Sequence, residues 1–382
     1  SGPLTQQARC VSCADGVRAI TASKSSRPYP TTSNTIIQGK NVTNQTAEYL
    51  AAIEHSLQQA LLSPDEQVTP LYEMMAYHLG WRSETLQPVS APQGKRLRPL
   101  LCLLACQAAG GDWRSALPAA TALELVHNFT LIHDDIEDRS DTRRHRPTVW
   151  KLWGIPQAIN TGDAMWSVAK LALLEPSDVP LSPERLLEIV RTFESACLAL
   201  CQGQYLDIAF EERATVSLDE YERMIAGKTG ALLAACTESG ALAAGASKEV
   251  AEYYRAFGAQ LGLAFQMVDD ILGVWGDPQV TGKSAADDLI NHKKAFPLLY
   301  TLHWEAERGL NDLTTLIERP YREEDLAPML KLLERAGARA ATQARVDARL
   351  AGTLEALDRA GAAEPAYSIL QELVHTLAVR SA

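Results

Sequence analysis

The chain has 382 residues, of which 46% are hydrophobic, and its formal net charge is −11. This apolar content is sufficient for a buried core, and the excess of negative charge makes nucleic acid an unfavourable partner. Any site that binds an anion must therefore build a local positive field from a few basic side chains or from metal ions.

The first 46 residues differ in composition from the rest of the chain. They are rich in Ser, Thr, Asn and Gln, contain one acidic residue, Asp15, and show no sustained hydrophobic periodicity. We expect residues 1–46 to form a disordered or non-core N-terminal arm. The seven cysteines favour a reducing, cytoplasmic location, whereas the acid-poor arm also suits a transit peptide, which makes an organelle the alternative.

From residue 47 to residue 382 the sequence predicts one all-α domain. Ala, Leu, Glu, Arg and Gln dominate, β-branched runs are rare, and no strand signal is strong. Apolar residues recur at helical spacing, but no apolar run reaches the length of a membrane span. The predicted helices cover residues 48–62, 116–138, 156–174, 183–210, 218–243, 248–274, 295–308, 324–336 and 338–360, and a loop enters a further helix within 91–110.

The helix predicted over residues 116–138 ends in a group of carboxylates that includes Asp134, Asp135 and Asp138. Asp134 and Asp138 share one helix face because they are four residues apart. Their mutual repulsion destabilises the helix end unless a cation offsets it, and all-oxygen ligands favour Mg²⁺ over Zn²⁺. A solvated acidic helix end is the alternative, although acids there face the unfavourable end of the helix dipole.

A second aspartate pair, Asp269 and Asp270, interrupts the apolar helix predicted over residues 248–274. Charged side chains are seldom buried unless they are paired or bind a metal. If this helix faces the first one across a bundle, the carboxylates of both motifs form one metal cage.

Basic motifs stand near both acidic motifs. Lys95 and Arg98 lie in the segment Gly-Lys-Arg-Leu-Arg-Pro, Arg143 and Arg144 follow the first carboxylates, and Lys283 follows the second pair. Arg binds phosphate oxygens through forked hydrogen bonds, and Lys provides a point charge. Mg²⁺ together with these cations is what the binding of a diphosphate requires. Scattered surface charge is the alternative interpretation.

Taken together, these motifs resemble the trans-isoprenyl diphosphate synthase (polyprenyl synthetase) family over most of residues 48–380, and geranylgeranyl and farnesyl diphosphate synthases in particular. The resemblance implies a single large helical bundle around a deep central cavity, usually as a homodimer. It implies a magnesium-dependent prenyltransferase that condenses isopentenyl diphosphate with an allylic diphosphate. Three Mg²⁺ ions are expected, with Mn²⁺ as a substitute. No nucleic-acid partner and no transmembrane segment are expected.

The same resemblance assigns roles to individual residues. Asp134 and Asp138 bind two of the ions and Asp269 binds the third, with Asp135 and Asp270 in the same motifs. The catalytic group is completed by Lys228 and Gln266. The side chains expected to bind the two substrates or to line the reacting centre are Lys95, Arg98, His127, Arg143, Arg144, Gln204, Asp207, Lys228, Thr229, Gln266 and Lys283.

Several positions depart from the family pattern or bear on product length. Gly273 replaces the third aspartate of the second motif, so we expect weaker binding of the third ion, and His145 stands where a glycine is usual. Phe129 lies about 7.5 Å below Asp134 along the helix. With Thr130 beside it and no insertion in the motif, this floor resembles that of C20 synthases, and C15 is the alternative.

Two other functions are compatible with aspartate-rich motifs on a helical bundle. A terpene cyclase needs no isopentenyl diphosphate site, so Lys95, Arg98 and His127 favour chain elongation. A non-catalytic subunit of a heteromeric prenyl synthase loses the first aspartate motif, which this chain keeps.

Overall fold

The computed structural model describes residues 40–91, 94–276 and 286–381. These residues are almost entirely helical, and the only strands within the described ranges are β1 (Thr142–Arg143) and β2 (Arg146–Pro147), which form an antiparallel hairpin. Sixteen α-helices follow in chain order: α1 (Lys40–Ala60), α2 (Thr69–His78), α3 (Leu97–Ala108), α4 (Leu117–Glu137), α5 (Val149–Trp153), α6 (Ile155–Leu174), α7 (Pro183–Glu211), α8 (Leu218–Ile225), α9 (Ala231–Ala243), α10 (Lys248–Trp275), α11 (Asp287–Ile290), α12 (Phe296–Ala306), α13 (Asp312–Ile317), α14 (Leu326–Ala336), α15 (Ala338–Arg359) and α16 (Ala366–Ser381).

The helix starts follow local capping rules. Ser182 accepts a hydrogen bond from the backbone N–H of Arg185 at the start of α7, where Pro183 occupies the first turn. At the start of α8, Ser217 and Glu220 exchange side-chain and backbone hydrogen bonds in a capping box. The helix starts expected from the predicted ranges 183–210 and 218–243 are therefore confirmed.

The core lies between α3, α4, α6, α7, α9 and α10, with α10 also packed along α15. Fully buried side chains such as Leu101, Leu125, Met165 and Phe257 fill it, and each stabilises the fold by about 1.5–3 kcal/mol through burial of apolar surface. This arrangement sets the ends of α4 and α10, which carry the two aspartate motifs, into the same bundle. No helix among the described residues is both long enough and apolar enough to cross a bilayer.

Several boundaries differ from the expectation. Helix α1 begins at Lys40, so the expected limit of the N-terminal arm at residue 46 falls inside a helix, where the Gln45 amide donates to Gln107 Oε1 over 2.8 Å. Residues 1–39, which make up most of that arm, lie outside the described residues. Helices α2, α5, α11, α13 and α16 were not predicted from the sequence. All of these except α16 have ten residues or fewer, which is too short for a clear helical periodicity.

The predicted helix over residues 218–243 is broken by one π-helical turn, Ala226–Gly230, which separates α8 from α9. Two glycines allow this turn to approach α7 closely. A Cβ atom on Gly203 would lie 2.1 Å from the backbone nitrogen of Lys228, and one on Gly227 would lie 2.7 Å from the carbonyl oxygen of Ala199. The backbone of Gly227 and Lys228 therefore packs directly against α7.

Candidate functional site

The first carboxylate motif lies at the C-terminal end of α4. Burial raises the pKa of Asp134 to about 6, while the charge of Lys228 lowers it and that of Asp138 raises it. Asp138 is exposed at the end of the helix, whereas Asp135 is 1% exposed, and its Oδ1 accepts a hydrogen bond from Arg143 Nε over 2.8 Å. Asp134 and Asp138 thus face the solvent-accessible side, and Asp135 is held by an arginine.

The β1–β2 hairpin positions the two arginines that follow this motif. Arg143 pairs with Arg146 in the hairpin, and the two residues between them, Arg144 and His145, have φ values of 53° and 62°. A two-residue turn with positive φ at both positions matches the twist of the strands. The turn directs Arg144 toward the loop before α3, where a Cβ atom on Gly94 would lie 3.0 Å from Arg144 Nη2.

Buried nitrogen atoms of two arginines and a histidine lie near this contact. Arg98 Nε, Arg144 Nη1 and His78 Nε2 are buried without a hydrogen-bond partner among the described residues. Burial lowers the pKa of Arg98. The pKa of His127 lies well below its usual range, mainly because the ring is buried and also because Arg98 and Arg144 are positively charged. Unpaired buried donors in a cluster of like charge are costly, so this cluster fits an anionic ligand.

One member of the Gly-Lys-Arg-Leu-Arg-Pro motif has a structural role that the sequence did not reveal. Arg96, at a φ of 50° and 5% exposed, binds Glu124 Oε1 over 2.9 Å and Glu54 Oε2 over 3.3 Å. Glu124 also accepts a hydrogen bond from the Asn128 amide. This buried ion pair fixes the loop that carries Lys95, which is exposed, and Arg98.

Helix α7 and the π-helical turn bring further predicted residues to the first motif. Lys228 Nζ donates to Asp207 Oδ2 over 2.5 Å, and the Gln204 amide donates to Glu137 Oε2 over 2.6 Å. Because Lys228 also lowers the pKa of Asp134, the lysine lies between the carboxylates of α4 and α7.

The second aspartate pair divides into an exposed and a buried member. Asp269 is exposed on α10. Asp270 is 1% exposed and accepts hydrogen bonds from the Tyr221 hydroxyl (2.5 Å), the Phe296 backbone N–H (2.9 Å) and the Gln266 amide (3.1 Å). Gln266 Oε1 in turn accepts from the Thr229 hydroxyl over 2.9 Å. Asp270 therefore anchors α8, α10 and α12, and only Asp269 of this pair is exposed.

Electrostatic contacts connect the two motifs. Burial alone would lower the pKa of Lys293. Four nearby carboxylates outweigh this effect and raise the pKa above the usual value; they belong to Asp288, Asp270, Asp207 and Asp269. The negative charge of Asp269 also raises the pKa of Arg98, which partly offsets the lowering by burial. Asp207, which binds Lys228 beside the first motif, thus acts on the same lysine as Asp269 of the second motif.

The structure brings together predicted residues from α3, α4, the hairpin, α7, the π-helical turn and α10. Lys283 lies outside the described residues. Among the described residues, no group of three or more His, Cys, Asp or Glu side chains is close enough to hold a metal ion by itself. A cavity of about 750 Å³ beside α7 is lined by residues such as Tyr205, Arg223 and Arg255, and none of the predicted site residues lines it.

Below the first motif, Phe129 lies in an aromatic cluster. Its ring stacks on Trp166 of α6, with centroids 5.8 Å apart and an interplanar angle of 23°, and it meets His133 edge-on at 5.5 Å. The hydroxyl of the buried Thr130 donates to the carbonyl oxygen of His127 over 2.8 Å. Trp166 was not singled out in the sequence, where it is one apolar residue among many on a predicted helix.

The geometry is that of a helical bundle in which carboxylates from two helices share a region with buried basic side chains. The fold and the site therefore define a class of all-helical bundle proteins whose charge distribution fits an anionic ligand.

Comparison with known proteins specifies that class. The polyprenyl synthetase family model matches residues 79–333. The (2E,6E)-farnesyl diphosphate synthase of Mycobacterium tuberculosis is 38% identical over 346 residues, which cover 89% of this chain and 95% of that protein. The chain belongs to the polyprenyl synthetase family and is a prenyltransferase of isoprenoid synthesis.

Solved structures confirm the fold. A polyprenyl synthetase from Streptomyces coelicolor A3(2) superimposes with a TM-score of 0.79 at 35% identity, covering 88% of this chain and 99% of that one. Geranylgeranyl pyrophosphate synthase from Corynebacterium glutamicum, solved with isoprenyl diphosphate and magnesium, has a TM-score of 0.70 at 27% identity and covers 89% and 98%. The all-α isoprenoid synthase prediction is thus confirmed, and the terpene cyclase and non-catalytic alternatives find no support.

Proposed function

We propose that this prenyltransferase elongates an allylic diphosphate with isopentenyl diphosphate to geranylgeranyl diphosphate, the C20 product. The observation that carries the proposal is the cluster of buried, unpartnered donors on Arg98, Arg144 and His78, beside the first carboxylate motif. An elongating enzyme must bind two diphosphates at once, one at the metal motifs and one at a site made of basic side chains without a metal ion.

The residues at the two motifs fit magnesium. The donors are carboxylate oxygens, which suit a hard cation. Burial raises the pKa of Asp134 to about 6, so a nearby positive charge would stabilise its charged form. We assign Asp134, Asp138 and Asp269 as ligands of three ions, with Mn²⁺ as a substitute. Asp135 and Asp270 hold their neighbours in place. When bound, the ions neutralise the diphosphate and make it a better leaving group.

The remaining polar side chains divide between the two substrates. Arg143, Lys228 and Lys283 bind the allylic diphosphate, and Lys95, Arg98, His127 and Arg144 bind isopentenyl diphosphate. Burial keeps His127 neutral at pH 7 because its pKa is lowered, so its ring can donate one hydrogen bond without adding another charge to the arginine cluster. Gln204, Asp207, Thr229 and Gln266 line the reacting centre.

The reaction follows from this distribution of charge. Lys228 and Arg143 stabilise the departing diphosphate as the allylic C–O bond breaks and its electron pair goes to oxygen. The double bond of isopentenyl diphosphate, held by the second cation cluster, then forms the new C–C bond with the allylic cation. The proton that restores the double bond leaves to the released diphosphate. Phe129 and its apolar neighbours exclude water, which would quench the cation.

Product length follows from the side chains that lie below Asp134. The stacked rings of Phe129 and Trp166 block further growth of the chain, and the first motif contains no insertion. This arrangement supports the C20 product. The farnesyl diphosphate synthase relative makes the C15 product the second candidate.

A homodimer is the expected assembly, and the distribution of exposed apolar side chains supports it. The exposed large apolar residues of the two helices α6 and α7 are Ile155, Ile159, Leu171, Leu174, Leu187, Leu198, Tyr205 and Ile208. Clustered exposure of this kind marks an interaction surface. Sedimentation equilibrium tests it, because a monomer at micromolar concentration contradicts the dimer.

The decisive experiment is an incubation of the full chain with Mg²⁺, isopentenyl diphosphate and each of the C5, C10 and C15 allylic diphosphates. Chromatography of the dephosphorylated products should give the C20 alcohol from every primer, and chelation of the metal should abolish it. A product that stops at C15 supports the second candidate. Release of cyclic hydrocarbons, or no product at all, contradicts the proposed elongation.

A further inference from the structure

Position 273 is where the two aspartate motifs differ most in sequence. In the first motif Asp134 and Asp138, which share one helix face, are four residues apart. In the second, the residue four positions after Asp269 is Gly273, on the same face of α10. The second motif therefore lacks a carboxylate on the helix turn where the first motif has one.

A carboxylate from another element occupies that place. A Cβ atom built on Gly273 would lie 2.1 Å from Asp288 Oδ2 and 2.5 Å from Asp288 Cγ. Such a separation is far inside van der Waals contact, so any larger residue at position 273 displaces Asp288. Asp288 belongs to the short helix α11 and is 5% exposed. Its carboxyl group is thus packed onto the turn of α10 that follows Asp269.

Asp288 also holds a lysine of the site. The Lys293 backbone N–H donates to the Asp288 carbonyl oxygen over 2.8 Å, and Lys293 Nζ lies 4.0 Å from Asp288 Oδ1. Among the carboxylates that raise the pKa of Lys293, Asp288 contributes most, followed by Asp270, Asp207 and Asp269. Without Asp288, the ammonium group would pair with these other carboxylates, including the proposed metal ligand Asp269.

We propose that Gly273 and Asp288 form a compensating pair, in which Asp288 supplies the second motif with the carboxylate that position 273 lacks. Asp288 acts as a positioning residue, because it keeps the Lys293 ammonium available to the diphosphate and away from Asp269. This inference rests on the proposed function. It replaces the expectation that the glycine simply weakens the second motif.

The test moves the carboxylate back to α10. Asp288→Ala should weaken the binding of inorganic pyrophosphate in the presence of Mg²⁺, measured by titration calorimetry, by at least about tenfold, as the loss of a partner behind a metal site does. Gly273→Asp alone should also weaken binding, because its side chain collides with Asp288. The double variant G273D/D288A should recover most of the affinity.

The matched control is G273A/D288A. It also removes the collision between the side chains at positions 273 and 288, but it has no carboxylate at either position. Tighter pyrophosphate binding by G273D/D288A than by G273A/D288A supports the pair, and equal affinities overturn it. Thermal unfolding of each variant confirms that it is folded, and D288N, which keeps the shape of the side chain, replaces D288A if the latter does not fold. Product formation by the unmodified enzyme tests the proposed function separately. A failure of the compensating pair can therefore be distinguished from a failure of the proposed function.

Discussion

The two aspartate pairs, Asp134–Asp135 in α4 and Asp269–Asp270 in α10, have the same sequence but different supports. In each pair the first member faces the site and the second is buried. Asp135 is held by one charged partner, Arg143, which we assign to the allylic substrate. Asp270 is held by three neutral donors from three elements. The buried aspartate of the first motif therefore binds a side chain that we assign to the substrate, whereas the buried aspartate of the second motif connects helices of the bundle.

The largest effect is expected at the first member of the first pair, which faces the site. Asp134→Ala should lower kcat/KM by roughly three orders of magnitude, because several kcal/mol of charge stabilisation are lost and each 1.36 kcal/mol is tenfold. Steady-state kinetics measure this loss. Asp141→Ala removes the same group from an exposed residue paired with Lys151 and should change little. A loss below tenfold at position 134 would remove Asp134 from the metal site.

The buried members allow a direct test of the difference in support. Asp270→Ala leaves the Tyr221 hydroxyl, the Gln266 amide and the Phe296 N–H without their partner, and should lower the free energy of unfolding by about 3 kcal/mol or more. Asp135→Ala should cost about 1–2 kcal/mol, because Arg143 is 29% exposed and can reach water. Urea denaturation measures both values. Equal losses would contradict the distinction between the two pairs.

The aromatic floor that limits product length is proposed only below the first aspartate pair. Phe129→Ala should lengthen the main product by about one C5 unit, because the aromatic floor lies about 7.5 Å below Asp134, and Trp166→Ala in addition should extend it further. Reversed-phase chromatography of the products measures the shift. Phe257→Ala, a matched truncation at a fully buried core position of α10, should lower stability and leave product length unchanged. An unchanged product from the Phe129 variant would exclude this residue as the floor.

The smallest effect concerns the turn that carries the arginines of the first motif. His145 has a φ of 62°, a conformation that costs a non-glycine residue about 1 kcal/mol. His145→Gly should therefore raise the free energy of unfolding by about 0.5–1 kcal/mol, measured by urea denaturation. Arg144→Gly at the other turn position should gain similar stability but lose affinity for isopentenyl diphosphate. Destabilisation by His145→Gly would show that the imidazole makes a compensating contact.

Much of this arrangement could be predicted from the sequence, because its signals are local. The apolar periodicity of the long helices indicated the helical fold, and the order of the aspartate and basic motifs indicated the family. The resemblance named Phe129 and Gly273 as size-determining or unusual positions, and the structure places Trp166 beside Phe129 and Asp288 beside Gly273.

The rest depends on contacts between distant segments. Nothing near Arg96 in the chain shows that it pairs with Glu54 and Glu124, because those residues are on other helices. The Asp288 carboxylate is fifteen positions from Gly273, a separation that only tertiary packing turns into a contact. The π-helical turn at Ala226–Gly230 was likewise hidden, because it interrupts an otherwise regular apolar pattern.

The hydrogen bonds from Thr229 to Gln266, from Gln266 to Asp270, and from the Phe296 N–H to Asp270 join two segments that each carry a site lysine. Lys228 precedes Thr229, and Lys293 lies three residues before Phe296. The spacing between the two ammonium-bearing segments is therefore set when the protein folds, and the arriving ligand does not have to organise it. The entropy of arranging these segments is lost during folding, which leaves more of the intrinsic interaction energy for affinity.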